Sequence, residues 1–467
     1  MTKGLKYTLY TVLALDIVGI FLAFIFADTL NCDGFEHLRM SWLVGQGYVP
    51  YRDFFEHHNP LLWYVFAPII KFLPHDFMLI LYVSKFFSLL VSCGKFYVIY
   101  LIFRDFFKDK KLFVYFFLTV AIFYPIWYGF SFFKPDNFEY FFYFLGLYYF
   151  FKYIENNNIK SLMLCGIYFT ISFLFLQTVL FEILPLVIPA AWLMYEKKLT
   201  VKNLMVAIIP SLLIIGIFAG FLFYTDSWLE YFQLNWLFNR HVFGMSSVFV
   251  DKKSIMPMFS FHLLFGIISF IWIYKEKANN KYINIIAVLY ICSIIQHLYF
   301  KAFFAHYLIQ TFTLCAMLVA PVLKKISVDT KYKTASIYVV LFLIVSCCLN
   351  YVTLTYNNNL DRNKQMRIVN APDVLCLTMV GNLYAIYNPK MSYYVMQTGI
   401  SAVDNALYNR YPDYNINDVI AQYQPEYIDF ENLQEKTDDR FVITPETLSK
   451  YVQVHPYLWQ RKDTLSQ

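Results

Sequence analysis

Charge is scarce in this chain. Charged residues make up 15% of its 467 positions, where a soluble domain carries about a quarter, so an ordinary water-soluble chain is excluded. Glycine is scarce too, at 15 residues, and no Gly-rich phosphate loop occurs. That argues against an ATP-driven machine. The eight cysteines form no paired metal-binding pattern. Six of them lie in apolar runs as small hydrophobes, and Cys32 and Cys376 fall outside those runs, leaving a disulfide between them open. No internal repeat of the kind carried by secondary transporters is present. The net charge of +6 comes largely from lysines in short loops between apolar runs, which is no signal for nucleic acid.

What the chain does have is hydrophobic residues, at 59%, and aromatics, at 21%. Interfacial belts use some of the 50 Phe and 40 Tyr, and AT-rich coding, which favours Phe, Tyr, Ile, Asn and Lys, accounts for the rest. Apolar runs recur at about 6–28, 76–103, 112–132, 136–152, 160–178, 180–195, 203–224, 256–274, 281–299, 305–323 and 334–355. The fold class expected is therefore an all-α polytopic membrane protein of about 11 transmembrane helices. A small α/β extracytoplasmic domain follows, in which "DVLCLTM", "EYIDF" and "RFVITP" read as strands and "NINDVIAQY" and "PETLSKYV" as helices. The domain division expected is 1–355 for the membrane part, with 29–75 as its first outer loop, and 356–467 for the soluble part.

Alternate loops decide orientation. "RDFFKDKK", "KYIENNNIK", "EKKLTVK", "KEKANNK" and "KKISVDTKYK" are Lys-rich and belong on the cytoplasmic side with the N terminus. The opposite loops, and everything after Tyr356, then face outward. "LLWYVFAPIIKFL", from Leu61 to Leu73, is too short to span and reads as an interfacial or re-entrant helix.

The outer loops hold the chemistry. "DGFEHLRMSWLVGQG" reads as an amphipathic helix lying along the membrane surface, with Asp33 as its N-cap and Glu36 in its first turns. A carboxylate there can only cap, or can serve as a general base. "GYVPYRDFFEHHNP" places Arg52, Asp53, Glu56, His57, His58 and Asn59 within eight residues. Such a group can bind a divalent metal or hold a phosphate, or it can be a solvated polar loop. "FKPDNFEY" puts Lys134 and Asp136 at a Pro-broken turn, where polar residues are needed in any case. Arg240 and His241 sit beside aromatics in a long loop, and Lys301 and His306 lie at the outer ends of two spans. Each is either a functional group at membrane depth or a snorkelling side chain.

With these residues in view, the chain resembles the GT-C superfamily of integral-membrane glycosyltransferases, in particular bacterial relatives of the protein mannosyltransferases and the lipid A aminoarabinose transferases. The resemblance rests on the acidic residue after the first helix in "CDGFEHLRMSWLVGQG", on the run Gly47, Pro50, Tyr51, Arg52 and Asp53, on "EHHNPLL", and on the late "HYLIQTFTLCAMLVAP" helix with Lys301 before it. Aminoarabinose transferases place a Lys and two prolines after the loop's Glu, where this chain has His57 and His58.

The resemblance implies a polyprenyl-phosphate-linked sugar donor, a glycan, lipid or protein acceptor, the lipid bilayer as surroundings and no nucleic acid. It also implies a bacterial cytoplasmic-membrane location. In it Asp33 is the base and Asp136 assists. His57, His58, Arg240, Lys301 and His306 hold the donor phosphate, while Glu36, Arg52 and Asp53 shape the loop. No cofactor is assigned by it, and a divalent metal is left open. A divalent metal, if one binds, falls to Glu56 with His241. The alternatives are a lipid or solute transporter or flippase, which would place ionisable groups at mid-membrane, and an O-antigen polymerase or ligase, whose large outer loops come later in the chain.

Overall fold

In a computed structural model of the chain, the described residues are 3–26, 32–74, 76–120, 123–130, 133–241, 252–275, 280–300, 308–329, 338–339, 341–353, 374–376, 404–429, 439–455 and 458–464. They are predominantly helical. In order these helices are α1 (Lys3–Phe26), α2 (Cys32–Gly45), α3 (Leu61–Phe72), α4 (Phe77–Asp105), α5 (Leu112–Val120), α6 (Tyr124–Gly129), α7 (Pro135–Asn156), α8 (Ile159–Phe175), α9 (Val179–Ile183), α10 (Val187–Tyr195), α11 (Val201–Tyr224) and α12 (Trp228–Phe232). Helices Lys252–Lys275, Lys281–Phe300 and Leu308–Val328 follow.

Among the described residues, four helices are long and apolar enough to cross a bilayer by length and composition: 79–105, 201–224, 281–299 and 308–328. Shorter apolar helices at 7–22, 159–175, 179–195, 262–275 and 341–353 accompany them. Two of the expected continuous spans are interrupted. The run 112–132 divides into α5 and α6, with Pro125 in the first turn of α6. The run 180–195 divides into α9 and α10 around a 3-10 turn, Leu184–Leu186, that contains Pro185. Proline lacks the amide that would continue the hydrogen-bond ladder.

The chain folds as two compact units. One comprises 1–27, 85–218 and 240–358, and the other comprises 28–84, 219–239 and 359–467. This differs from the division expected at residue 355, because the first loop and the 219–239 segment belong with the C-terminal residues. In the first unit, Leu308–Val328 is buried on every side from Leu308 to Ala320. A helix that is apolar around its whole circumference needs neighbours on all faces. Here α5, Lys252–Lys275 and Lys281–Phe300 supply them. Aromatic pairs fill the remaining space, with Phe123 stacked on Phe312 at 4.5 Å.

In the second unit, α2 packs on α3. α3 has 12 residues, a length of about 18 Å, well short of the roughly 30 Å hydrocarbon layer. The C-terminal part carries a four-stranded sheet in the order β1-β2-β4-β3, with β1 Val374–Cys376, β2 Tyr427–Asp429, β3 Tyr451–His455 and β4 Leu458–Arg461. β1 and β2 are parallel and the other pairs antiparallel. The helix Ile416–Tyr423 packs Ile416, Val419 and Ile420 against Ile428 and Tyr451. The expected "RFVITP" strand is not one. Asp439–Phe441 form a 3-10 turn and Pro445–Ser449 a helix, Pro445 sitting where its missing amide costs nothing.

Candidate functional site

The segment from Gly45 to Pro60 is held by its own backbone. Gly47 has φ +96° and Tyr51 φ +69°, and the left-handed region is unusual for a residue as bulky as tyrosine. Hydrogen bonds over-determine it. Val49 N donates to Asp53 Oδ2 at 2.7 Å and Asp53 N to Val49 O at 2.9 Å. Tyr51 N donates to Phe54 O at 3.1 Å. Arg52 forks onto both Asp53 oxygens at 2.8 and 3.0 Å and donates to Thr225 O at 3.0 Å. Burial pushes against ionisation of Asp53, but Arg52 and the Val49 amide outweigh it and hold the carboxyl below the ordinary carboxylate range.

This turn delivers Glu56 into the interior, with no solvent exposure. Its Oε1 accepts from His57 N at 2.7 Å, His58 N at 3.1 Å and His58 Nδ1 at 2.7 Å. Burial alone would raise its carboxyl. The imidazoles of His58, His57 and His37 outweigh burial and hold it down at about 2, so Glu56 is a carboxylate. An ionised carboxylate only accepts hydrogen bonds, so His58 carries a proton on Nδ1. Glu56 Oε2 is buried and has no hydrogen-bond partner among the described residues. The carbonyls of the two histidines are tied down as well. Tyr51 Oη donates to His58 O at 2.7 Å and Asn239 Nδ2 to His57 O at 2.7 Å. With its amide nitrogen turned to the loop, Asn235 donates to His57 O at 3.3 Å and His58 O at 3.2 Å. Tyr231 Oη donates to Asn59 Oδ1 at 3.1 Å.

α2 supplies the third imidazole. It is not the surface helix its alternating pattern suggested, because every residue from Gly34 to Leu43 is buried. Its polar side chains find partners inside the protein instead of water. Trp63 Nε1, on α3, donates to His37 Nδ1 at 3.1 Å, Ser41 Oγ donates to His37 O at 2.7 Å, and the Arg39 guanidinium lies 5.1 Å from the Trp42 ring centre. His37 meets His58 edge to face at 5.1 Å. One donor atom each from His37, Glu56 and His58 lie within 4.8 Å of one another.

The expected site residues therefore separate. Glu56, His57 and His58 come together, with Arg52 and Asp53 fixing their turn. Glu36 is buried in α2. Asp33 is the second residue of α2, inside the helix and not before it, and its side chain lies outside the described residues. Lys301 and His306 lie outside them too. Arg240 and His241 are described, both exposed, and His241 is not in the metal-capable group around Glu56. Asp136 is buried in the first turn of α7, after Lys134 and Pro135. Glu139 lies three residues on, fully buried, with Glu182 of α9 and Lys95 of α4 as ionisable neighbours. These groups belong to the first unit and the His37 cluster to the second.

Sequence reasoning missed His37, Trp63, Tyr231, Asn235 and Asn239. The signal available for His37 was the density of ionisable groups in "DGFEHLR", which is high for a helix with so many apolar neighbours.

Among known protein families, residues 61–224 match the family model described as dolichyl-phosphate-mannose-protein mannosyltransferase. The match supports the resemblance to membrane glycosyltransferases of the GT-C type. It begins after "GYVPYRDFFEHHNP" and includes Asp136, Glu139 and Glu182. No curated protein matches the chain.

Proposed function

We propose that the chain is a glycosyltransferase that moves a sugar from a polyprenyl-phosphate donor to a hydroxyl of a glycan, lipid or protein acceptor, at the outer face of a bacterial cytoplasmic membrane. The match of residues 61–224 to a mannosyltransferase family carries this reading. The ionised, histidine-lined loop from Arg52 to Asn59 is what gives it a site. In the transfer, the acceptor oxygen bonds the anomeric carbon as the bond from that carbon to the phosphate oxygen breaks. The acceptor's proton must leave, and charge gathers on the phosphate. Asp33, in the first turn of α2, is the proposed base, and Asp136 orients the acceptor. His57, His58, Arg240, Lys301 and His306 are the proposed partners of the phosphate, as donors and positive charges. Such a donor brings its own activation and needs no nucleotide site.

The test is transfer from a purified lipid-linked sugar by the full chain in nanodiscs, with Asp33→Asn beside it. Inside the first turn Asn loses only the favourable interaction of a negative charge with the helix dipole, about 0.3–1 kcal/mol, so a role at the helix start alone leaves the rate near normal. Loss of the base lowers it by roughly 10²–10⁴-fold. A stable Asp33→Asn protein with normal turnover transfers the assignment to Asp136. Absence of transfer with every lipid-linked sugar tried overturns the reading.

A further inference from the structure

We propose that His37, Glu56 and His58 form a binding site for one divalent transition metal of the zinc class. This is a different ligand set from the Glu56 and His241 pair that the resemblance implies. Three observations point to it. The donor atoms of the three residues lie within 4.8 Å of one another. Ligands about 2.1 Å from a common tetrahedral centre are about 3.4 Å apart, so closing the site asks for movements on the order of 1 Å, within the reach of side-chain torsions. Glu56 Oε2 is fully buried with no hydrogen-bond partner among the described residues. A buried carboxylate oxygen left in that state is costly, and a cation satisfies it directly. The third observation is the support around the ligands. Glu56 Oε1 is fixed by two backbone amides, and the carbonyl of His58 by Tyr51. Two imidazoles and one carboxylate suit zinc, cobalt or manganese better than magnesium or calcium, which take oxygen ligands.

Protons hold the ligand set together in the metal-free arrangement. Trp63 Nε1–H occupies the lone pair of His37 Nδ1, and His58 Nδ1–H lies on Glu56 Oε1. The indole can only donate. A metal bound through His37 Nδ1 must therefore displace Trp63, and a metal shared by Glu56 and His58 takes the place of the proton on His58 Nδ1 that lies between them. Three protein ligands leave a coordination position for an exogenous oxygen. On the glycosyltransferase reading, that position takes a phosphate oxygen of the donor. The site itself stands without that reading, since metal binding is measured without turnover.

The experiment is zinc and cobalt titration of the full chain, purified in detergent and stripped with chelator, followed by calorimetry, metal content and tryptophan fluorescence. The expected result is one ion per chain and a change in Trp fluorescence, because Trp63 loses its acceptor. Glu56→Gln keeps an oxygen for the His57 and His58 amides, so the turn survives. It should weaken binding by at least about 100-fold, no less than outer-shell losses cost, and His58→Gln should do the same. Trp63→Phe removes the competing donor and keeps all three ligands, so binding stays equal or tightens. Unchanged affinity in both Glu56→Gln and His58→Gln, with normal elution and melting, overturns the proposal, as does the absence of stoichiometric binding by the unaltered chain. An unfolded Glu56→Gln leaves His58→Gln and Trp63→Phe to decide. Binding without sugar transfer would count against the proposed function and not against the site.

Discussion

Asp53 is the residue on which the shape of the histidine loop depends, and two substitutions separate its parts. Asp53→Asn keeps an oxygen that can accept from Val49 N and loses the charge paired with Arg52. Arg52 is 43% exposed in that pair, so solvent screens it and the loss is about 0.5 kcal/mol. Asp53→Ala also strands the Val49 amide, which adds about 1–2 kcal/mol. Opening of the loop should then become about twofold more frequent in Asp53→Asn and on the order of 30-fold more frequent in Asp53→Ala. The assay is amide hydrogen exchange at Tyr51, His57 and His58, whose acceptors are Phe54 O and Glu56 Oε1 and not Asp53. The pH dependence has a definite sign. The carboxyl is held below its ordinary value, so its contribution is present above the ordinary Asp range and is lost as pH falls through that range toward the lowered value. Equal exchange at the three amides in Asp53→Ala and the unaltered chain would refute the claim that this side chain holds the turn.

Orientation, donor binding and helix packing can each be tested separately. Reporter fusions at Lys110, Lys198 and Lys325 should report the cytoplasm and one at Gln467 the opposite face. A cytoplasmic C terminus would reverse the orientation. Arg240→Ala and Lys301→Ala should each weaken binding of the polyprenyl-phosphate sugar by about tenfold or more, since charge-assisted hydrogen bonds are worth roughly 1.5–3 kcal/mol. Unchanged affinity in both would remove them from the phosphate site. Gly146→Ala places a Cβ 2.6 Å from two ring carbons of Phe169, where α7 meets α8, so it should destabilise by about 1–3 kcal/mol and lower the melting temperature. An unchanged melting temperature would mean that the ring moves aside freely.

The helices were legible because an apolar run of about twenty residues has few other uses. Their interruptions were less so. Pro185 divides α9 from α10, yet Pro210 sits inside α11 without ending it. A proline therefore does not by itself say whether a helix stops, since neighbouring helices can satisfy the freed carbonyl. The C-terminal sheet shows a similar limit. "EYIDF" and "RFVITP" look alike as short β-rich runs. The first has β1 and β4 on either side to pair with, whereas the second turns through a 3-10 segment before Pro445. Strand formation depends on a partner that local sequence does not reveal.

The same distinction separates the two parts of the histidine cluster. Glu56, His57 and His58 stood out because they are adjacent in sequence and punctuated by Gly47, Pro50 and Pro60. His37 did not, because nothing in "FEHLRMSW" says which way the helix's polar face turns. Phe35, Leu38, Trp42 and Leu43 define an apolar face, and hydrophobic periodicity then assigns Glu36, His37 and Arg39 to water. The assignment fails where buried partners exist for the polar side chains, and here they lie far along the chain: Trp63 for His37, and Tyr231, Asn235 and Asn239 for the loop beside it. A polar residue within a helix otherwise set against other protein is costly unless such partners are in place. That cost gives the buried α2 its meaning. His37 is held by Trp63 of α3 and meets His58 of the loop, an arrangement that a freely solvated surface helix could not maintain.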